Sequence, residues 1–208
     1  MIHHSRLSPN CSDATSFAPD LARLNEYLLS EHARRPDPWS VTVQQARQAR
    51  LDGKGIFPPA RPDPDTERHF VSLPGAPDVP VRVIRPKTRE ARGTYIHIHG
   101  GGWLFGQAIE ADPRLRRMAE STGLATVSID YRLAPEEPFP AAFDDCLAVA
   151  RAVLDGSLSL PTGFMSIGGE SAGAHLSAVT LLRLRDEDAA SPFHAANLVA
   201  GFFDLSLT

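Results

Sequence analysis

Two short clusters hold the residues best suited to chemistry. Gly169-Glu170-Ser171-Ala172-Gly173 places a serine between glycines, and His99-Gly100-Gly101-Gly102 lies seventy residues earlier. A serine hydroxyl is a poor nucleophile unless it is exposed, held in one orientation and offered a base. A G-x-S-x-G turn between a strand and a helix supplies the exposure and the orientation. Gly169 and Gly173 lack a Cβ, so strand and helix can close around the turn. The helix that Ser171 opens directs its positive end at the same spot. When such a hydroxyl attacks a carbonyl, the carbonyl oxygen gains charge and needs N–H donors. Ala172 is expected to supply one, and Gly100, Gly101 and Gly102 the others. Loss of one such donor costs ~10²–10³ in turnover. His99 is expected to anchor the loop by hydrogen bonds and not to act as base. The chemistry implied is acyl transfer through a serine on a small-molecule ester, which calls for no cofactor.

The elements that must position these clusters alternate in type. Arg68–Leu73 and Val79–Arg85 alternate apolar and polar residues around a Pro-Gly turn region, which predicts an antiparallel hairpin. Thr94–Ile98 reads as a strand running into the glycine loop. A helix carrying Leu115, Met118, Ala119 and Thr122 follows and stops at Gly123. Ala125–Ile129 is the next strand. A longer helix presents Phe143, Cys146, Leu147, Ala150, Val153 and Leu154 on one face. Pro140 sits near its start, with Asp144 and Asp145 in its first turns, where a helix N-terminus favours negative charge. Phe164–Ile167 then feeds the serine turn. The helix beyond it lines up Ala174, Ala178, Leu181 and Leu182, and Leu198–Phe203 closes the series as a strand. This alternation predicts an α/β fold: a mostly parallel, doubly wound sheet with helices on both faces and the hairpin at one edge.

Upstream, Leu21, Leu24 and Leu28 share a helical face, so residues 18–35 are expected to form an amphipathic helix, with a weaker one over Val41–Leu51. Ten of the eighteen prolines fall between Pro36 and Pro86, which argues for an irregular wrap there. The expected division is residues 1–60 as N-terminal helices and wrap, and 61–208 as the core.

Composition narrows the partners. With 42% hydrophobic and 22% charged residues over 208 positions, the chain reads as an ordinary globular domain. A net charge of -4 gives no nucleic-acid or polybasic membrane footprint. No apolar run is long enough for a membrane span, and Met1–Asn10 has no signal-peptide core. Cys11 and Cys146 read as a loop thiol and a core thiol in a reducing, cytoplasmic setting. His3 and His4 read as solvated tail residues. His97 and His99 bracket one strand end without further metal ligands, so no metal site is expected.

Three motifs together resemble the hormone-sensitive-lipase-like (fold-3) branch of the α/β-hydrolase carboxylesterases and lipases. They are His99-Gly100-Gly101-Gly102-Trp103, Asp130-Tyr131-Arg132-Leu133-Ala134-Pro135-Glu136 and Gly169-Glu170-Ser171-Ala172-Gly173. The resemblance covers residues 60–208. It implies an α/β-hydrolase fold, a serine carboxylesterase acting on short acyl chains, a cap over the active site formed by the N-terminal helices, and a homodimer built on edge strands. It also implies that Asp130, Arg132 and Glu136 shape a turn by buried pairing and take no direct part in chemistry. Trp103 could line the acyl or alcohol pocket or belong to the core.

The same resemblance implies an acid and then a histidine after the serine. Only His175 and His194 follow Ser171. His175 lies one helical turn on, beside the helix, and His194 precedes the last strand at the far edge. Neither is a credible base. Asp186, Glu187 and Asp188 read as a solvated helix end, and Asp204 as a structural residue near the pocket. The sequence therefore reads as lacking the family's last strands. The expectations are an exposed sheet edge, a tendency to aggregate and weak hydrolysis. A small-molecule receptor and an amidase on the same machinery are the alternative readings.

Overall fold

The computed structural model describes residues 19–34, 40–54, 60–188 and 192–204. The readings of His3, His4, Cys11 and the Met1–Asn10 leader lie outside these residues. The chain divides into two compact units, Met1–Pro59 and Ala60–Thr208.

The first unit holds α1 (Pro19–Ala33) and α2 (Val43–Leu51). On α1 Leu21 and Leu24 are exposed and Leu28 is half-buried. Thr42 starts α2 with a reciprocal cap: its hydroxyl accepts from the Gln45 N–H at 3.2 Å, and its own N–H donates to the Gln45 side chain at 2.8 Å.

The second unit is built on a six-stranded sheet in the order β1-β2-β4-β3-β5-β6, with β1 (Glu67–Val71), β2 (Val79–Ile84), β3 (Thr94–Ile98), β4 (Ala125–Ile129), β5 (Met165–Glu170) and β6 (Ala195–Val199). β1, β2 and β4 pair antiparallel; β4, β3, β5 and β6 run parallel. The crossovers are α3 (Asp112–Thr122), α4 (Ala141–Leu154) and α5 (Ala172–Asp188). No helix among the described residues is long and apolar enough to cross a membrane.

β3 and β4 are buried on both faces, as central parallel strands must be. Alternation along β3 sorts the two cores. Ile96 and Ile98 join Val81, Val127, Ile167 and the α4 residues Cys146, Leu147, Ala150 and Val153. Tyr95 joins Ile84 and the α3 residues Leu115 and Ala119 on the other face. Gly123 ends α3 in the left-handed region at φ 72°, and its N–H caps the Ala119 carbonyl at 2.9 Å.

A buried ion pair locks the hairpin to α3. The Arg82 guanidinium grips the Asp112 carboxylate, which also accepts from the Asp63 N–H at 2.9 Å; Asp112 has no solvent exposure.

Three sequence expectations shift. β5 begins at Met165 and runs to Glu170, beyond the expected Ile167. β6 spans Ala195–Val199, not Leu198–Phe203. Its register explains this: Ala195 pairs Ser166 and Val199 pairs Glu170, where β5 stops at the serine turn. Ala200, at φ 49°, then turns the chain away. The buried face of α5 runs through Ala174, Leu176, Ser177, Thr180 and Leu184, while Leu182 is exposed. Ser177 and Thr180 sit in that face because their hydroxyls bond back to Gly173 and Leu176 carbonyls at 2.7 and 2.8 Å. β6 is exposed at all five residues, and Phe202 and Phe203 beyond it are also exposed.

Candidate active site

The site forms where β3 and β5 end side by side, with Ile98 opposite Gly169 in register. Ser171 occupies the turn into α5 at φ 53°, a left-handed conformation costly for a residue with a Cβ. Its N–H donates to the Val199 carbonyl at 2.9 Å, so β6 also holds the turn. Sterics explain both flanking glycines. A Cβ on either Gly169 or Gly173 would overlap the Ile98 carbonyl oxygen, and one on Gly173 would also lie 2.7 Å from the His99 carbonyl oxygen.

The glycine loop follows directly from β3 and meets that turn. A Cβ on Gly100 would lie 2.7 Å from the Glu170 carbonyl oxygen and 3.4 Å from the Ser171 Cβ. Gly101 and Gly102 take φ 124° and 62°, and Trp103 takes φ 62°. Phe105 and Leu104 N–H groups close the loop onto the Gly101 carbonyl at 2.9 and 3.1 Å.

The three glycine amides are not equivalent. The Gly100 N–H points at the Glu170 carboxylate, 3.4 Å from Oε1, so it is engaged inside the protein and is unsuited to the oxyanion role expected of it. Among the described residues, the Gly101 and Gly102 N–H groups have no backbone acceptor.

His99 is an anchor. Its ring stacks on Tyr131 at 4.2 Å, its Nδ1 lies 2.9 Å from the Gly100 carbonyl oxygen, and the Tyr131 hydroxyl donates to the His99 carbonyl at 3.0 Å. The Asp130–Glu136 segment buttresses the loop from behind. Asp130 accepts from the Ala108 N–H at 2.6 Å, and the Ala134 N–H donates to the Trp103 carbonyl at 3.0 Å. Burial raises the Asp130 pKa, against that hydrogen bond. Arg132 clasps Asp145 through Nε and Nη2 at 3.0 and 2.7 Å, and the Asp145 carboxylate accepts the Arg132 N–H as well. Asp145, read from sequence as a helix-end charge, is thus a fully buried counterion. Glu136 is exposed.

Trp103 and His175 pack edge to face at 5.4 Å, and Phe143 meets the same imidazole at 5.7 Å. Burial holds the His175 pKa below its ordinary value. His194 sits at the opposite ends of the strands, stacked on Phe164 and bonded to both Met165 N and O. Among the described residues, no histidine or carboxylate hydrogen-bonds the Ser171 hydroxyl. Asp204 is exposed, and Asp186 and Glu187, at the far end of α5, pair with arginines of α4 and α5.

One cluster had no sequence signal. Buried His97 places Nε2 at 3.1 Å from Glu170 Oε2, and Arg114 reaches the same oxygen at 3.0 Å. His97 Nδ1 contacts the Ser128 hydroxyl at 3.2 Å. Burial works to raise the Glu170 pKa, but the His97 and Arg114 contacts outweigh it and hold the carboxyl at about 2. Burial pushes the His97 imidazole below its usual value against the pull of Glu170.

A family model of the alpha/beta hydrolase fold matches residues 95–205, a segment that contains the glycine loop, the parallel strands and the serine turn. The chain belongs to that family. This hydrolase-fold chain is 36% identical over 183 residues to the carboxylesterase NlhH of Mycobacterium tuberculosis, covering 84% of the chain and 55% of NlhH. It is also 36% identical over 111 residues to an arylesterase of Saccharolobus solfataricus, covering 52% of the chain and 36% of that protein. Among solved structures it resembles the hyperthermophilic esterase of Pyrobaculum calidifontis, with a TM-score of 0.75 at 27% identity over 92% of the chain and 61% of the esterase. An ester-hydrolase from the Lake Arreo metagenome, solved with a bipyridine phosphonate derivative, matches at TM-score 0.75 and 29% identity over 91% of the chain and 62% of that protein. The hydrolase-fold chain thus spans about half the length of the first curated relatives it matches.

Proposed function

We propose that this chain carries the nucleophile and the oxyanion donors of a serine carboxylic ester hydrolase acting on small esters. The observation that supports the reading is the contact between loop and turn: a Cβ on Gly100 would lie 2.7 Å from the Glu170 carbonyl oxygen and 3.4 Å from the Ser171 Cβ. On this reading the oxyanion donors are the Gly101, Gly102 and Ala172 amides. The Ser171 oxygen bonds to the ester carbon, and the carbonyl oxygen takes the charge against those amides. The ester C–O bond then breaks, the alcohol leaves with the serine's proton, and water releases the acid from the acyl-serine. A base must carry the proton from serine to the leaving alcohol in the first step and from water back to the serine oxygen in the second. No described histidine reaches the serine, so the base is not assigned to this chain.

Two subsidiary readings accompany it. A homodimer built on an edge strand is carried over from the motif resemblance. The unpaired Cys146 thiol fits a reducing cytoplasm.

The test is covalent capture. The folded chain is incubated with an alkyl p-nitrophenyl phosphonate and digested, and the Ser171 peptide is weighed. We expect phosphonylation at Ser171 that is lost in Ser171→Ala and on unfolding in urea. Equal labelling of folded and unfolded chain would sink the proposal.

A further inference from the structure

Glu170 is more than the residue that happens to precede the nucleophile. Its two carboxylate oxygens face different partners. Oε1 accepts the Gly100 N–H at 3.4 Å, and Oε2 meets Arg114 Nη2 at 3.0 Å and His97 Nε2 at 3.1 Å. The carboxylate therefore joins the end of β5 to the loop after β3, and both to α3. The backbone contact is close as well: a Cβ on Gly100 would lie 3.3 Å from the Glu170 Cγ.

The consequence lies in the direction of the amides. The Gly100 N–H donates to Glu170 Oε1 at 3.4 Å, and among the described residues the Gly101 and Gly102 N–H groups that follow it have no backbone acceptor. Fixing the first amide fixes the plane from which the next two depart. A carboxylate so near a developing oxyanion would oppose it by like charge. Arg114, on the same Oε2, supplies the compensating positive charge. His97, a β3 residue nearly without solvent exposure, contacts Glu170 at 3.1 Å and Arg114 at 2.7 Å through Nε2 and the Ser128 hydroxyl at 3.2 Å through Nδ1.

We propose that Glu170 is a positioning residue: it tethers the Gly100 amide so that the Gly101 and Gly102 amides face Ser171, with Arg114 neutralising its charge. The inference rests on the serine-hydrolase reading for its purpose, but the tether itself is a separate physical claim.

Two measurements keep them apart. Amide hydrogen exchange of Gly100, read by NMR, reports the tether with no reference to activity. Glu170→Ala should speed that exchange by about tenfold or more, and Glu170→Gln, which keeps an acceptor oxygen, should restore part of the protection. Phosphonylation of Ser171 reports the purpose. In Glu170→Ala the limiting rate kinact should fall about tenfold with the half-saturating concentration KI unchanged, and Glu170→Gln should recover part of it. Should the alanine variant not fold, Arg114→Gln on a half-exposed side chain carries the same test, because it frees Glu170 to leave Gly100. Unchanged Gly100 exchange in the folded variants overturns the tether. A lost tether with kinact intact overturns the positioning role. An unreactive parent chain with Gly100 protected by Glu170 removes the hydrolase reading and the role that rests on it, while the tether stands.

Discussion

Gly173 and His99 meet backbone to backbone: a Cβ on Gly173 would stand 2.7 Å from the His99 carbonyl oxygen and would overlap that of Ile98. Helix α5 and the end of β3 have no room for a methyl group between them. Gly173→Ala should therefore destabilise the fold by about 3 kcal/mol, as overpacking of a closed contact does. It should also slow Ser171 phosphonylation, because the displaced loop carries the donors. Gly75→Ala is the control. That position has φ 77° but open space around it, so only the backbone cost of about 1 kcal/mol is expected, with labelling unchanged. Urea midpoints and labelling rates of the two variants decide the matter.

Ser171 itself is held at φ 53°. Glycine adopts that conformation without a Cβ penalty, so Ser171→Gly should raise stability by about 1 kcal/mol while abolishing labelling. Ser171→Ala keeps the Cβ and should not gain. A glycine variant no more stable than the alanine variant would show that the turn is unstrained.

Asp112 binds Arg82 and the Asp63 N–H from a position without solvent exposure. Asp112→Ala leaves a buried guanidinium without its counterion and should cost about 3–5 kcal/mol in equilibrium unfolding. Replacing both partners by apolar residues of similar volume should recover much of that loss. A single variant as stable as the parent would contradict the buried-pair account.

Acid sensitivity follows from Glu170 and His97. Glu170 titrates at about 2 in the fold against an ordinary 4.5, so its contribution is complete above 4.5 and is lost as pH falls from there toward 2. Burial lowers the His97 pKa in the fold, so the unfolded chain takes that proton first and stability also falls as pH drops below 6.5. The facing groups are Arg114, Ser128 and the Gly100 amide. Glu170→Gln should remove the Glu170 contribution below 4.5 and, by removing the charge that supports the imidazolium, extend the His97 window to lower pH. Urea midpoints taken from neutral pH down to about 3 test this, and identical slopes in parent and variant below 4.5 would refute it.

Local patterns were legible where the determinants are local. Glycines at 169 and 173 announce a turn because backbone crowding admits nothing larger, and β3 runs into the glycine loop as its apolar residues imply. β6 lies earlier than the sequence suggests: Phe202 and Phe203 have higher strand propensity than Ala195-Ala196-Asn197, but the end of β5 decides where pairing stops. The buried face of α5 is hidden in the sequence because Ser177 and Thr180 are polar residues whose hydroxyls are satisfied by the preceding turn. Glu170, His97 and Arg114 lie 73 and 56 positions apart along the chain. No local spacing links them; only the sheet register and α3 bring them together. The same holds for Arg132 and Asp145, whose pairing depends on how α4 docks.

Ile98 and Gly169 lie opposite each other in neighbouring strands, and the whole site hangs from that one pairing. A slip of β5 by a single position would turn Ser171 to the other side of the sheet. A reagent that modifies the serine therefore doubles as a gauge of assembly: each labelled molecule is one whose central ladder has closed on the right rung, and the labelled fraction counts correctly threaded chains in any preparation.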